Sequence, residues 1–404
     1  MGAQVKLTYV AYSPLDLQSA NSIQTYNTCR ALSERLGADL TVIVPRFGLS
    51  EKAPPFRVVQ FPRIPVNKIS RLLKSAIWSY IERTLYAWLV VAYLWAHPAD
   101  VIYSRDVICA FWLVLLGLPV IYETHDLEAL HPSKFKGARL SRWLERIDER
   151  TLRGAAAVVS LTQTFKNELV RWGWQPETCV FVVPDAFDEA IYYPRPQQLA
   201  RERLGLPAQA LVAGYAGMTF AYRRLDLLLD ALKTWNEPRA RALIIGGRPF
   251  EVKELKARAH ELGLEHVVEW REREPAAAAA EDLSAADVLV IPDTVTDATA
   301  SPLKMFEYMA LERAIVAVDR PALREILGDD AEFFRPGDAA DFARVLCALA
   351  AAPDRRQALA AAARARAANY TYGQRADRII TACRTTVSRR PTVGNRQPPT
   401  GAAH

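Results

Sequence analysis

Short apolar runs alternate along this chain with longer segments of helical periodicity. Strands that alternate with helices are typical of a parallel sheet covered by helices on both faces. The pattern therefore predicts a doubly wound α/β protein. The predicted strands are 5–11, 39–45, 100–104, 119–123, 156–161, 179–184, 211–216, 241–246, 266–270, 287–291 and 314–318.

Length and composition agree with two such domains. The chain has 404 residues, of which 50% are hydrophobic, and a domain typically takes about 150 residues. The proline-rich segment 193–196 interrupts the strand–helix pattern just before a predicted helix at 197–204, and we place the boundary there. The predicted parts are a first domain 1–195, a second domain 196–370, a helix 371–384 that packs back on the first domain, and a disordered basic tail 385–404.

Charge and cysteine content narrow the range of partners and compartments. A formal net charge of +6 favours an anionic partner, which is a nucleotide diphosphate, an anionic lipid surface or nucleic acid. No nucleic-acid-binding module is recognisable, so no nucleic acid partner is expected. The chain has five cysteines, an odd number, and no two of them form a C-x-x-C pair. A disulfide framework is therefore not expected, and the reducing cytosol is the favoured compartment. The chain enters a strand without a signal peptide, which also predicts a cytoplasmic protein.

Residues 74–96 are rich in apolar and aromatic side chains. Glu82 and Arg83 divide this stretch and leave an apolar run that is too short to span a bilayer. We favour a buried helix of the first domain. Basic residues interleaved with apolar ones at 68–74 would instead suit the inner face of a membrane, so a peripheral membrane contact through 68–96 is the alternative.

The segment from Ser301 to Glu307 is the most informative part of the chain. Ser301 is a good N-cap, and Pro302 suits the first position of a helix. Lys304 then lies in the first turn, where a cation is unfavourable unless an anion such as a diphosphate binds the helix start. Glu307 follows at i+3 and can reach the same ligand. Taken alone, an ordinary capped helix explains this segment equally well.

The run Ser-Pro-Leu-Lys-x-x-Glu-Tyr-Met-Ala, followed by a predicted strand and Asp319, resembles the donor-site segment of family 4 glycosyltransferases. These are retaining enzymes of the GT-B architecture. The resemblance implies two Rossmann-like domains that face each other across a cleft. It also implies that a nucleotide diphosphate sugar is the donor substrate.

The same resemblance implies roles for the residues around the helix start. The turn formed by Ser301, Pro302, Leu303 and Lys304 would hold the donor diphosphate, and Glu307 would bind the ribose. The family usually has another glutamate eight positions earlier, which contacts the transferred sugar. This chain has Thr299 there, which leaves the identity of the sugar open.

A second segment of the second half also resembles the donor site of this family. Gly217 ends a strand, and Arg223 aligns with a basic residue that contacts the donor phosphates in the family. An arginine fork can hold phosphate oxygens in a bidentate manner. Arg224 replaces the usual glycine, and its role is left open. Gly246 and Gly247 resemble the glycine turn near the nucleotide and permit close approach of the backbone.

In the first half, His125 and Asp126 follow a predicted strand, where many family members have a His-Asp pair. The resemblance implies that His125 hydrogen-bonds a hydroxyl of the transferred sugar and that Asp126 orients the sugar or the acceptor. Arg105 follows another strand, and it either faces the acceptor or forms a structural ion pair. Asn21 and Ser22 lie where the family has a glycine-rich loop, and we expect them to offer backbone amides to the acceptor.

These observations predict a retaining glycosyltransferase of the hexosyltransferase type. It would move a sugar to a saccharide or lipid-linked acceptor in cell-surface glycan synthesis, with His125, Arg223 and Lys304 as catalytic candidates. Because cations on the leaving diphosphate replace a metal, we expect neither a metal nor a cofactor. The alternatives are a catalytically silent homologue that binds nucleotides or acts as a scaffold, and a nucleotide-sugar epimerase.

Overall fold

The structure is a computed structural model that describes residues 5–17, 19–47, 53–63, 77–125, 127–128, 138–294, 299 and 301–389. The chain divides into two compact units. The first unit consists of Met1–Val159, Trp172–Phe181 and Ala376–His404, and the second of Ser160–Arg171 and Val182–Arg375. The sequence analysis places the boundary between the two domains at 195, whereas this division lies earlier and assigns a short segment of each half to the other unit.

The first unit is built around a seven-stranded sheet with the order β3-β2-β1-β4-β5-β6-β7. The central strand β1 pairs in parallel with β2 and with β4, so that Leu7 lies opposite Leu40 and Val101. All residues of β1 are buried, as expected for a strand covered by helices on both faces. The strands are β1 Leu7–Val10, β2 Leu40–Pro45, β3 Val58–Phe61, β4 Val101–Ser104, β5 Val120–Thr124, β6 Ala157–Ser160 and β7 Val180–Val182.

The second unit repeats this topology with six strands in the order β10-β9-β8-β11-β12-β13. Strand order reverses between β8 and β11, and ligands of open α/β sheets bind beyond the carboxyl ends of the strands at such a point. The strands are β8 Leu211–Ala216, β9 Ala240–Ile245, β10 Val268–Arg271, β11 Val288–Ile291, β12 Ala314–Val318 and β13 Glu332–Phe334.

The predicted strands are confirmed to within two residues at each end. The sequence analysis missed only β3 and β13 among the strands of the described residues. Both are short edge strands whose residues are mostly half-buried, and so neither carries a long apolar run. The predicted helix 197–204 is confirmed as Gln197–Leu204.

Helices cover the sheets. The described helices are α1 Ala20–Leu36, α2 Ile77–Ala96, α3 Val107–Leu115, α4 Ala138–Gly154, α5 Gln163–Arg171, α6 Gln197–Leu204, α7 Leu225–Trp235, α8 Pro249–Glu261, α9 Ala276–Leu283, α10 Leu303–Ala310, α11 Pro321–Leu327, α12 Ala339–Ala351, α13 Pro353–Ala367 and α14 Tyr372–Ser388.

The last helix, α14, is longer than predicted. Residues 385–388 form its final turn, so the disordered tail predicted from residue 385 is wrong for these four positions. From Ala376 onward the helix belongs to the first unit, where Asp377 accepts a hydrogen bond from the Nε of Arg35 at 2.5 Å. The remainder of the predicted tail, 390–404, lies outside the described residues.

Helix α2 lies at the surface of the first unit, with one face buried and the other outward. On its inner face Glu82 is 4% exposed and accepts a hydrogen bond from Arg63 at 2.6 Å. The favoured interpretation of this stretch as a buried helix therefore holds for its inner face only. In the parts of the chain that the structure describes, no helix is long and apolar enough to cross a membrane. The outer face exposes large apolar side chains, namely Ile77, Ile81, Leu85, Trp88, Leu89 and Trp95.

Candidate active site

The candidate site of the second unit begins with three glycines at the carboxyl ends of β8 and β9. Gly217, Gly246 and Gly247 have φ angles of 129°, 98° and 90°, which other residues rarely adopt. A Cβ atom on Gly246 would lie 2.9 Å from the carbonyl oxygen of Gly217, and one on Gly247 would lie 2.5 Å from the Oγ1 of Thr219. Side chains at these positions would force the two strand ends apart, and their absence leaves the backbone at this edge of the sheet open to a ligand.

Lys304, the second residue of α10, points into this region. Its side chain is 8% exposed, and its Nζ lies 3.6 Å from the centre of the Tyr215 ring. A Cβ atom on Gly217 would lie 3.2 Å from the same Nζ. Among the described residues, this ammonium group has no hydrogen-bond partner. Burial, reinforced by the charge of Arg223, holds the pKa of Lys304 well below its ordinary value.

A buried ammonium group without an anion is costly, and contact with one aromatic ring offsets only part of that cost. A buried polar group that lacks a partner needs an explanation, and here an anionic ligand supplies one. The position of Lys304 at the amino end of α10 also suits an anion, because the free amides of the first turn point the same way.

The structure corrects the predicted role of Ser301. Pro302 has an extended backbone, with φ −69° and ψ 125°, and is itself the N-cap of α10, without a side-chain hydrogen bond to the helix. Ser301 therefore lies one residue outside the capping position. Its Oγ is buried and has no partner in the described part of the chain. Together with Lys304, it makes a second unpaired polar group at this helix start, while Pro302 is buried and Leu303 is half-buried.

Glu307 lies one turn further along α10, beside Tyr192. Burial raises the pKa of Glu307 to about 7, although a hydrogen bond from Tyr192 and the charge of Lys304 act in the opposite direction. Tyr192 was not among the predicted site residues, because it is far away in the sequence and lies in no recognisable motif. The next residue, Tyr308, accepts a hydrogen bond from the amide of Ala216 at 2.9 Å, which ties α10 to the end of β8.

The adjacent arginines Arg223 and Arg224 differ in their surroundings. Arg224 has a left-handed backbone, with φ 52°, and its side chain pairs with Asp226 at 3.1 Å. The guanidinium carbon of Arg223 lies 5.1 Å from the centre of the Tyr222 ring. Within the described residues, no ion pair involves Arg223. Arg223 thus has its charge available for a ligand, and Arg224 does not.

Thr299 is half-buried, but the residues on either side of it, 295–298 and 300, lie outside the described residues. Its role beside the transferred sugar stays a prediction. The same holds for Asp126, which also lies outside the described residues.

A separate polar cluster occupies the carboxyl ends of β4 and β5 in the first unit. Its centre is Glu123, whose side chain is 0% exposed. One carboxylate oxygen of Glu123 lies 2.8 Å from the Nε2 of His125 and accepts a hydrogen bond from the Nε of Arg105 at 3.0 Å. The other oxygen accepts a hydrogen bond from the hydroxyl of Tyr103. The sequence analysis missed Glu123, although a carboxylate inside an apolar strand is itself a signal.

The remaining nitrogens of Arg105 are also engaged. One donates a hydrogen bond to the Oγ1 of Thr25 at 2.5 Å, and the other donates to the side-chain oxygen of Gln24. Of the two interpretations that the sequence left open for Arg105, the geometry is that of a satisfied buried ion pair. His125 is about one-third exposed at its side chain, with 32% of the area accessible, so its ring is anchored at one nitrogen and reaches the surface.

Asn21 and Ser22 lie in the first turn of α1 but differ in accessibility. Ser22 is 0% exposed, and its Oγ accepts a hydrogen bond from the amide of Ser19 at 2.9 Å as part of a capping box. The hydroxyl of Ser22 is thus committed to the start of the helix. Asn21 is exposed and lines a polar cavity of about 290 Å³, which we call the unit-1 cavity. Its lining residues are Ala11, Tyr12, Asn21, Ser79, Arg83, Arg105 and Asp106.

Two family models match this chain. The model described as Glycosyltransferase Family 4 matches residues 22–190, and the model described as Glycosyl transferases group 1 matches residues 210–352. A D-inositol 3-phosphate glycosyltransferase from Xylanimonas cellulosilytica is 25% identical, over 96% of this chain and 98% of that protein.

Two solved structures share the fold along almost the whole chain. Sucrose-phosphate synthase from Thermosynechococcus elongatus aligns with a TM-score of 0.78 and 16% identity, covering 95% of this chain and 99% of that one. Anabaena HepE in complex with UDP-glucose aligns with a TM-score of 0.70 and 18% identity, covering 94% and 100%.

The predicted fold class and family are confirmed by these matches. One family model covers most of the first half of the chain and the other covers most of the second half, and the structural matches span both units. The chain belongs to the family 4 glycosyltransferases of the GT-B fold.

Proposed function

We propose that this glycosyltransferase transfers a sugar, with retention of anomeric configuration, from a nucleoside diphosphate sugar held in the second unit. The observation that carries the proposal is the buried and unpaired ammonium group of Lys304, which lies at a helix start beside a glycine-rich strand end. Arg223 provides a second cation without a carboxylate partner in the described residues. A diphosphate would supply the negative charge that balances these two cations. UDP sugars are the first donors to test, because HepE is solved with UDP-glucose.

The proposed reaction needs positive charge on the leaving group more than it needs a protein nucleophile. The bond between the anomeric carbon and the diphosphate oxygen breaks, and the negative charge that develops on that oxygen is stabilised by Lys304, Arg223 and the amides of the α10 start. The acceptor oxygen forms the new bond on the same face of the sugar. Its proton passes to the departing phosphate oxygen, so no base on the protein is consumed.

The cations that we assign to the leaving diphosphate also underlie the proposal that the reaction proceeds without a metal. Lys304 and Arg223 would supply the charge that a divalent ion provides in other transferases. Activity that survives EDTA, and that is not increased by added Mg²⁺ or Mn²⁺, would support this. Activity that is lost in EDTA and restored by one of these ions would contradict it.

Substitution of Arg223 by alanine should weaken donor binding, whereas the same change at Arg224 should not. Loss of a charged hydrogen bond costs about 1.5–3 kcal/mol, which corresponds to an increase of roughly 10- to 150-fold in the dissociation constant of the donor diphosphate. Arg224 is already paired with Asp226, and the effect of its substitution should stay within about threefold. Isothermal titration with UDP, GDP, ADP and TDP measures the dissociation constants of both variants, which are compared with those of wild type.

Equal losses in the two variants would contradict the assignment of Arg223. Assays of sugar transfer and of donor epimerisation, run on the same proteins, separate the alternative functions. Nucleotide binding without turnover on any acceptor would favour a silent or scaffolding homologue. Conversion of the donor sugar to its epimer in the absence of an acceptor would favour an epimerase.

For the acceptor side, we propose a saccharide or lipid-linked acceptor in cell-surface glycan synthesis, reached by a peripheral contact of α2 with a membrane surface. Trp88 and Trp95 on the outer face of α2 are 41% and 68% exposed. Tryptophan favours the boundary between water and lipid, and basic residues precede α2 in the sequence at 68–74, as in helices that lie on anionic membranes.

Vesicle binding tests this contact. The double substitution Trp88→Glu and Trp95→Glu should reduce co-sedimentation with vesicles of phosphatidylglycerol and phosphatidylethanolamine at least fivefold, because each glutamate removes apolar area and adds charge that anionic lipid repels. Trp172→Glu, at a tryptophan that is 37% exposed elsewhere on the first unit, is the matched control. If all three proteins sediment alike, α2 is not the contact. A concentration-dependent dimer that only the double substitution dissolves would assign the face to a second copy of the chain.

A further inference from the structure

The unit-1 cavity contains two arginines, and both have their charge neutralised by buried carboxylates. For Arg83, the Nε donates a hydrogen bond to Asp106 at 2.7 Å, and one terminal nitrogen lies 2.7 Å from the same carboxylate. The other terminal nitrogen lies 3.5 Å from Glu128. The side chain of Arg83 is only 14% exposed. Asp106 thus occupies one edge of this guanidinium, and Glu128 lies within ion-pair distance of the other edge.

The carboxylates around Arg83 also set its protonation. Burial opposes the charged form, but Asp106 and Glu128 outweigh it and raise the pKa of Arg83 above its ordinary value. Arg83 therefore remains a cation, although its charge is balanced locally. Glu128 is held in place by a hydrogen bond from the hydroxyl of Tyr80 at 2.7 Å, so the balancing group is not free to swing away.

The second arginine of the cavity, Arg105, is balanced in the same way. Its side chain is 3% exposed and pairs with Glu123, which is 0% exposed, at 3.0 Å. Its terminal nitrogens donate hydrogen bonds to Thr25 and Gln24. Among the described residues around the cavity, these two arginines therefore face the three carboxylates of Asp106, Glu123 and Glu128.

The second unit provides an internal contrast. There Lys304 and Arg223 have no carboxylate partner among the described residues, which is the state expected of cations that await a diphosphate. A site that binds a phosphate group keeps its positive charge uncompensated until the ligand arrives. The unit-1 cavity does not meet this condition.

We propose that the unit-1 cavity receives an uncharged, hydroxyl-bearing part of the acceptor and discriminates against a phosphate group there. This inference rests on the proposed function, in that it assigns the acceptor to the first unit. A hydroxyl-rich ring matches a lining that includes neutral hydrogen-bonding groups, such as the amide of Asn21 and the hydroxyl of Ser79. Among the described residues of the cavity, a phosphate would find no arginine without a carboxylate partner, and Asp106 and Glu123 would repel it.

The proposal implies that this chain and its Xylanimonas relative use different acceptors. The Xylanimonas protein is named for D-inositol 3-phosphate, an acceptor that carries a phosphate. At 25% identity, acceptor choice is not expected to follow from family membership alone. The charge balance of the cavity indicates that the acceptor of this chain differs.

The test removes one carboxylate from Arg83 and keeps the size of the side chains that line the cavity. Asp106 is also the N-cap of α3 and accepts a hydrogen bond from the amide of Cys109 at 2.8 Å. Asparagine caps a helix as well as aspartate does, so Asp106→Asn should keep the fold. It removes the carboxylate that holds one edge of the Arg83 guanidinium and leaves Glu128, at 3.5 Å, as the remaining carboxylate partner of Arg83 among the described residues. D-inositol 3-phosphate and unphosphorylated inositol are titrated into wild type and D106N, each saturated with UDP so that the cations of the second unit are occupied.

We expect wild type to show no preference for D-inositol 3-phosphate over inositol at millimolar concentration. D106N should bind the phosphorylated probe at least tenfold more tightly than wild type does, and D106N/R83M should lose that gain. The Glu128→Gln variant provides a second way to reduce the negative charge around Arg83 if D106N proves unstable.

Two results would overturn the proposal. One is wild-type binding of D-inositol 3-phosphate that is tighter than inositol binding and is lost in Arg83→Met. The other is a folded D106N or Glu128→Gln protein that gains no affinity for the phosphorylated probe. If UDP itself does not bind, the proposed function of the second unit fails independently. The titrations are then repeated without UDP on a Lys304→Met/Arg223→Ala background, where the second unit offers neither cation.

Discussion

Substitution of Lys304 by methionine is expected to make the protein more stable and nearly inactive. The ammonium group is 8% exposed and has no hydrogen-bond partner in the described residues. Removal of an unsatisfied buried polar group should raise the free energy of unfolding by about 1–3 kcal/mol. Methionine fills a similar volume and packs well against the Tyr215 ring. Loss of a positive group that stabilises the leaving diphosphate should lower kcat roughly 100- to 1000-fold.

Thermal and urea unfolding, measured without nucleotide, tests the stability half of this prediction, and initial rates with UDP-glucose test the other half. Lys233→Met is the matched control, since Lys233 is exposed near the end of α7 and its loss should change stability by less than about 1 kcal/mol. A Lys304→Met protein that is less stable than wild type, or that keeps wild-type donor affinity, would show that the ammonium group has a structural partner and that the donor site lies elsewhere.

Donor affinity is expected to fall as the pH is lowered through about 7. Burial raises the pKa of Glu307 from 4.5 to about 7, so this side chain is a carboxylate above that pH and a neutral acid below it. A carboxylate accepts hydrogen bonds from ribose hydroxyls more strongly than a neutral acid does. Below pH 7, donor binding must therefore displace a proton, which costs about 1.4 kcal/mol, or tenfold in affinity, for each pH unit.

The measurement is the dissociation constant of UDP-glucose between pH 5.5 and 8.5. UDP-glucose is preferable to UDP, because its diphosphate is esterified at both ends and does not titrate in this range. Glu307→Gln should bind more weakly at pH 8 and should lose the dependence on pH. An unchanged pH profile in Glu307→Gln would assign the titration to another group and would remove Glu307 from the ribose site.

The raised pKa of Glu307 also predicts how the stability of the donor-free protein depends on pH. Below pH 4.5 the carboxyl group is protonated in both the folded and the unfolded chain, so it contributes nothing to the pH dependence. Between pH 4.5 and about 7 the unfolded chain releases its proton first, and the folded state loses stability as the pH rises. The loss is complete above pH 7 and should be absent in Glu307→Gln.

The sequence was sufficient to predict the sheets because each central strand is a continuous apolar run bounded by turns. Lys304 and Glu307 could also be singled out as donor-site candidates, because they lie within one helical turn and their spacing is local. The capping pattern was less reliable. Ser301 and Pro302 fit an N-cap followed by a first helical residue, but the extended backbone of Pro302 shifts the helix start by one residue, and no local pattern reveals such a shift.

Long-range partners could not be predicted from the sequence. Tyr192 affects Glu307 only because the fold brings two distant segments together. Arg105 could be a ligand contact or an ion pair as long as the position of Glu123 was unknown, and only tertiary structure supplied the partner. The sequence analysis favoured a buried helix over an exposed one at α2 for a related reason. Its outward and inward residues are both apolar, so periodicity did not distinguish the surface of the helix from its buried side.

Asp106 holds two positions at once, as the cap of α3 and as the counter-ion of Arg83. The two tasks have different chemical requirements, because a cap needs only an oxygen acceptor whereas a counter-ion needs a negative charge. A single change to asparagine preserves the first and abolishes the second. Acceptor preference in this lineage could therefore diverge through one nucleotide substitution in a codon for aspartate, with no new arginine and no rebuilt pocket. Closely related transferases would then differ in acceptor while every residue that lines the cavity keeps its size and place.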